Sequence, residues 1–131
     1  MPVRVVNPET LTKPVGYAHA AVGTGKAIAL AGKMGCGLDG KVEKPGDLVA
    51  QFAKALDNLM EALRAAGGAP QDVASLRIYV TDVKDYRRHL RALGDEYRTR
   101  FGRHFPAMAL LGVRELFEPG AVVEIEGLAY V

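Results

Sequence analysis

Two periodicities organise the chain. Near the C-terminal end, polar and apolar residues alternate over Val122-Val123-Glu124-Ile125-Glu126-Gly127-Leu128-Ala129-Tyr130. Side chains of a strand take alternate faces, so Glu124 and Glu126 share one face with Val122, Leu128 and Tyr130. Val123, Ile125, Ala129 and Val131 take the other face, which reads as buried. A second apolar run, Phe105 to Val113, precedes this one, and Phe117-Glu118-Pro119-Gly120 supplies breaker residues for the turn between them. Upstream, Leu48, Phe52, Leu56, Leu59 and Leu63 recur at spacings of four, four, three and four. That is the stripe of an amphipathic helix. Asp47 is placed to cap its start and Gly67-Gly68 to end it.

The remaining elements follow from the same two periods. Val3-Arg4-Val5-Val6 predicts a short first strand closed by Asn7-Pro8. Gly16-Tyr17-Ala18-His19-Ala20 leads to a turn at Gly23-Thr24-Gly25, and Ala27 to Ala31 suits a buried strand ended by Gly32. Lys33 to Pro45, rich in glycine and charge, predicts an irregular hairpin or loop. Leu76, Ile78 and Val80 alternate with Arg77 and Tyr79 as a half-buried strand. After Asp82, one long second helix is expected, with Tyr86, Leu90, Leu93, Tyr97 and Phe101 as its buried stripe. Gly94 interrupts that stripe at a cost of ~1 kcal/mol relative to alanine. The predicted order is β-β-β-α-β-α-β-β, an α+β fold with a mixed sheet and both helices on one face. The other face, rich in valine, isoleucine, leucine and alanine, would stay bare, and symmetric self-association is the economical cover for it.

Composition narrows the class. The 131 residues suit a single domain spanning 1–131, with 49% hydrophobic and 24% charged residues. A net charge of +2 is too mild to imply a polyanionic partner by itself. Cys36 is the single cysteine, so no internal disulfide forms and a reducing, cytoplasmic location is expected. Met1 to Thr10 has no apolar signal-peptide core, and no apolar run approaches the ~20 residues of a bilayer span, so no membrane partner is expected.

Few residues carry chemistry on spacing alone. Glu124 and Glu126 read first as solvated or ion-paired carboxylates, and His19 as a surface or hydrogen-bonded side chain. No histidine, cysteine or acidic cluster has metal-ligand spacing, and Cys36 has no base partner in sequence. Gly23-Thr24-Gly25-Lys26 lacks the full phosphate-loop pattern and precedes a strand, so it is a turn. Residues 84–104 carry Lys84, Arg87, Arg88, Arg91, Arg98, Arg100 and Arg103. They lie off the apolar stripe, as solvated residues of an amphipathic helix do, and a nucleic-acid partner is not expected.

Beyond these patterns, the chain resembles the RidA/YjgF family. Pro106-Ala107 before an apolar strand and Val123-Glu124-Ile125-Glu126 after a turn carry the resemblance at one end. Gly16 to Ala20, Ala29-Leu30-Ala31-Gly32, Gln51, Leu56-Asp57-Asn58-Leu59, Val80-Thr81-Asp82, Tyr97 and Phe101 extend it over most of the chain. The resemblance implies a RidA/chorismate-mutase-like subunit in a homotrimer, with sheets packed into a central barrel and small-molecule pockets at the interfaces. It also implies cofactor-independent hydrolysis of reactive imines and enamines to keto acids and ammonia. Tyr17 and Glu124 match the family's tyrosine and pocket glutamate and are the candidate catalytic residues. Met108, Ala31, Lys33 and Leu110 are the candidate substrate-binding residues. Met108 stands where the family has its carboxylate-binding arginine, Ala31 where it has a serine, and the region of Gly94 where it has an asparagine. A thioether offers only a weak acceptor in place of a two-point cationic fork. Losing such a pair, ~1.5–3 kcal/mol, weakens anionic substrates by about tenfold to a few hundredfold. Lys33 is the candidate replacement cation. Three functions are therefore expected in order: an imine/enamine deaminase of altered specificity, a non-catalytic metabolite binder, and an RNA-binding or ribonuclease-like protein.

Overall fold

The structure is a computed structural model that describes residues 2–131. In chain order it has β1 (Val3–Val6), β2 (Ala20–Gly23), β3 (Ala27–Lys33), α1 (Leu48–Ala65), a 3-10 turn (Pro70–Asp72), β4 (Val73–Val80), α2 (Val83–Arg88), α3 (Leu90–Phe101), β5 (Ala107–Gly112) and β6 (Val123–Tyr130). β1 and β2 form an antiparallel ribbon. The other four strands make a mixed sheet in the order β3-β6-β4-β5, in which only β4 and β5 run parallel. Parallel neighbours need a long crossover, and α2 with α3 supplies it.

α1 forms where its stripe predicts. Asp47 accepts a hydrogen bond from the Ala50 N–H at 3.0 Å, satisfying one of the free amides of the first turn. At the other end Gly67 adopts φ +92°, and the N–H groups of Gly67 and Gly68 donate to the carbonyls of Arg64 and Leu63. This paired closure needs a left-handed residue, and glycine takes that conformation without steric cost. Leu48, Phe52, Leu56, Leu59 and Leu63 are all buried, together with Ala55 and Met60. They pack on Ile28 and Leu30 of β3, Leu76, Ile78 and Val80 of β4, and Val123, Ile125 and Ala129 of β6. The alternation predicted for the last strand thus has its apolar half in the core.

The second helix departs from the expected single rod. It is two helices, broken at His89, whose ring Nδ1 lies 2.8 Å from the Asp85 carbonyl oxygen. The break turns Leu90 outward to 58% exposure, so it drops out of the stripe. Leu93, Tyr97 and Phe101 keep the buried face of α3. Arg100 ties α3 to α1 through Asp57 at 2.7 Å, with Glu96 of its own helix at 2.9 Å. All three helices cover one face of the sheet. On the other face Ala29, Ala31, Arg77 and Leu111 are exposed, while the ribbon of β1 and β2 packs at the Tyr130 end, where Gly23 lies against the tyrosine ring.

One polar side chain is buried among the described residues, Gln51, at 1% exposure. Its Nε2 donates to the carbonyls of Lys44 (2.7 Å) and Gly120 (2.9 Å), and its Oε1 accepts from the Val122 N–H (2.8 Å). Gln51→Leu keeps the volume and strands the Val122 N–H, while the Lys44 and Gly120 carbonyls each lose one bond and keep another, from the N–H groups of Asp47 and Gly46. A stranded buried amide costs ~1–3 kcal/mol and each carbonyl bond lost ~0.5–1.5 kcal/mol, so the expected loss of stability is about 2–4 kcal/mol. Urea unfolding measures it, and a loss below about 0.5 kcal/mol means that the network is dispensable.

Candidate functional site

The candidate residues separate into two groups, one under edge strand β5 and one where β3 meets β6. Tyr17, Met108 and Leu110 line a cleft of about 770 Å³ between edge strand β5 and the helices α2 and α3. Met108 pairs in register with Leu76 and Leu110 with Ile78, so both project to the helix-covered side. Phe105, Leu93 and Phe52 add apolar walls. Tyr97 forms part of the lining and stacks on Phe101 (4.5 Å between ring centres) and Phe105 (5.3 Å). Its hydroxyl donates to the His104 carbonyl at 2.7 Å, and the His104 ring Nε2 lies 2.7 Å from the Val73 carbonyl oxygen. Burial holds the phenols of Tyr97 and Tyr86 above their ordinary pKa, so both stay neutral hydroxyls in the cleft.

Tyr17 reaches the cleft from an irregular segment that its neighbours hold. The Ala18 N–H donates to the Pro106 carbonyl at 3.0 Å, joining the segment to the entrance of β5. The His19 ring meets the Tyr17 ring edge-on at 5.3 Å, and its Nε2 lies 2.6 Å from the Thr12 carbonyl oxygen. The segment expected to lead to the turn at Gly23 enters β2 at Ala20, and Ala18 before it bridges Ala107 of β5.

Glu124, Ala31 and Lys33 form the second group. Glu124 is opposite Tyr79 of β4 and projects to the open face of the sheet. Its carboxylate lies against Gly32, where any side chain would collide with Oε2. The pairing of β3 with β6 is irregular between Leu30 and Lys33, so Gly32 meets the Glu124 carboxylate while Lys33 pairs with the core-facing Ile125. Lys33 also lines a shallow pocket with Cys36, Lys54, Asn58 and Glu118. Asn58 holds that loop by donating from Nδ2 to the carbonyls of Met34 and Cys36, both at 3.0 Å. Glu126 stands 3.8 Å from Arg77, an exposed pair of small energetic value.

Sequence reasoning passed over Arg98, which lines the cleft, and Tyr86, which faces it. Arg98 follows Gly94 by one helical turn, and that spacing was the available signal. Among the described residues no group of three or more histidine, cysteine or acidic side chains is placed to hold a metal ion. No helix among them is long and apolar enough to cross a membrane.

Residues 9–131 match the family described as endoribonuclease L-PSP. The chain belongs to that family, which includes the Rid proteins. Its fold is similar to that of YyfB, a member of the conserved Rid protein family from Yersinia pestis, with 34% identity, a TM-score of 0.90 and full coverage of both chains. A RutC family protein of Pyrococcus horikoshii is 29% identical over 96% of both chains. The 2-iminobutanoate/2-iminopropanoate deaminase of Capra hircus is 29% identical over 96% of this chain and 88% of that one. Within this L-PSP-family fold, Met108 and Leu110 belong to β5 and Glu124 to β6, on opposite faces of the sheet.

The Cys36 thiol reports on the Glu124 side. Burial raises its pKa first, and the charges of Glu118, Asp39, Glu124 and Glu43 raise it further. Only the thiolate is nucleophilic, so Cys36 should react with iodoacetamide more slowly at pH 7.5 than a free cysteine peptide. Glu118→Gln and Glu124→Gln each remove a raising charge, and each should move the midpoint of the pH–rate profile downward. Glu9→Gln should leave it in place. An unmoved midpoint in Glu124→Gln places that carboxylate away from the thiol.

Proposed function

We propose that the chain self-associates as a homotrimer and acts on a small molecule in a pocket that two copies build together. The observation that carries this reading is the division of the candidate site. Glu124 stands two strands from β5, about 10 Å at ordinary strand spacing, and on the opposite face from Met108. Within one copy Tyr17 and Glu124 cannot meet across one ligand. β5 is an edge strand that pairs on its free side only with Ala18, and its Ala109 and Leu111 are exposed beside the bare sheet face. Seating that edge against the β3–β6 patch of a second copy covers apolar surface and joins the two groups.

The reaction that fits is hydrolysis of a C=N bond, as the deaminase names of the relatives suggest. Glu124 takes a proton from water as the water oxygen bonds to the imine carbon, and the nitrogen gains a proton. Collapse of the adduct breaks the carbon–nitrogen bond, releasing ammonia and leaving a carbonyl. Tyr17 positions the substrate, and no cofactor enters the scheme. Met108, apolar where a cation would bind a 2-imino acid, turns the pocket from short acidic imines towards substrates with apolar bodies. The same apolar wall also favours a second reading, a metabolite binder without turnover. RNA binding finds less support, since Arg100 is turned away from solvent by its pairs with Asp57 and Glu96.

The test generates a short-chain imino acid with an amino-acid oxidase and times release of the keto acid. Wild type should be slow and Met108→Arg faster by about tenfold or more, the worth of one charge-assisted pair. Adding Glu124→Gln to the arginine variant should slow it at least about a hundredfold, as loss of a general base does. A monomer in light-scattering chromatography overturns the shared pocket. Equal rates for Met108→Arg with and without Glu124 remove the catalytic role of that carboxylate.

A further inference from the structure

We infer that Arg98 is the anion-binding group of the cleft, which makes an apolar carboxylic acid the ligand class. This rests on the cleft being the ligand pocket proposed above and deepens that proposal. Arg98 belongs to α3, one turn after Gly94, and both line the cleft with Met108. The guanidinium folds back along the helix onto Gly94. A Cβ built there would stand 3.1 Å from Nη1 and 3.4 Å from Nη2, closer than side chains normally rest. A side chain there would push the guanidinium aside by a few tenths of an ångström, so glycine at this position leaves the cation its place against a helix that glycine weakens.

The electrostatics suit exchange of one anion for another. The recorded partner of Arg98 is Asp95, one Nη2···Oδ1 contact at 2.6 Å, with the two side chains 53% and 68% exposed. One nitrogen is engaged, and the planar fork retains further donors for a two-point contact with a ligand carboxylate. An exposed pair of this kind contributes little, so displacing Asp95 carries a small penalty. The other walls define the rest of the ligand: Met108, Leu93 and Phe105 offer apolar surface, and Tyr86 a neutral hydroxyl. Lys33 stands at the opposite edge of the sheet, on β3, in the pocket lined by Lys54 and Asn58 of α1. The ligand thus carries its carboxylate at Arg98 and an aryl or alkyl body against Met108. In a substrate for C=N hydrolysis, the carboxylate and the reacting carbon are held at separate points.

Titration calorimetry with 4-phenylbutanoate and its neutral isostere 4-phenylbutanamide tests this on the assembled protein. Wild type should bind the acid about tenfold more tightly than the amide, as a charge-assisted hydrogen bond confers. Arg98→Met, which keeps the unbranched stem, should abolish that preference by weakening the acid about tenfold more than the amide. Gly94→Ala should raise the thermal midpoint, since alanine favours the helix, yet lower the preference by pushing the guanidinium aside. A purely structural arginine predicts the first effect without the second. Amide binding with no preference for the acid in wild type removes the role of Arg98 while the cleft stands. A preference that survives Arg98→Met assigns the anion to another group. Absence of binding by both probes overturns the cleft and this inference together.

Discussion

The Gln51 carboxamide is the interaction on which the placement of the site depends. It sits in the apolar stripe of α1, yet all three of its bonds go to backbone outside the helix. One bond holds the end of the loop after β3, one the turn at Gly120, and one Val122, the residue just before β6. Fixing Val122 fixes the register of β6, which places Glu124 beside Gly32 and opposite Tyr79. A slip of one residue would turn both glutamates into the core and Ile125 out of it. Asn58, two turns further along α1, holds the middle of the same loop through Met34 and Cys36. α1 therefore supplies the core with one set of side chains and the geometry around Glu124 with another.

The close packing around Gln51 also limits the sequence nearby. A Cβ at position 35 would come within 2.8 Å of the Gln51 Cα, a backbone atom that cannot move aside. Glycine is the residue that fits. At Gly32 the obstacle is the Glu124 carboxylate itself. Close approach of loop to helix and of carboxylate to strand is thus obtained by omitting side chains, and the open face beside Ala31 stays shallow. A shallow face with a carboxylate at its edge makes half of a pocket. The cleft under β5 has the apolar depth and lacks the carboxylate. This complementarity, more than the bare apolar area, argues for association through these two surfaces.

Much of this was legible in the sequence, because the governing patterns are local. The stripe from Leu48 to Leu63 and the alternation from Val122 to Tyr130 depend only on the geometry of helix and strand, and both hold. The break at His89 was not legible, since the spacing of Tyr86, Leu90 and Leu93 continues through it. What stops α2 is a ring-to-carbonyl contact with Asp85, which periodicity does not register. Gln51 left a trace as a polar residue among Leu48, Phe52 and Ala55, but its partners are up to 71 residues away. The division of the candidate site was likewise out of reach. Face assignments within a strand follow from sequence, whereas the order β3-β6-β4-β5 is set by tertiary pairing.

Moving the cation from strand to helix changes what the cleft selects. A guanidinium borne on β5 would stand near its ligand on a short, fixed path. Arg98 instead lines the cleft on a long stem with half its side-chain surface in water, and ordering that stem on a ligand costs rotamer entropy. Water near the guanidinium also screens the attraction. Both effects weaken the contact with any one acid relative to a buried, preorganised fork. They also relax the distance at which a carboxylate is accepted, because the stem follows the ligand. Met108 acts in the same direction, since an unbranched thioether adapts to differently shaped apolar bodies. The pairing of Met108 with a mobile Arg98 therefore favours a family of apolar acids of varied length over one short acid held tightly.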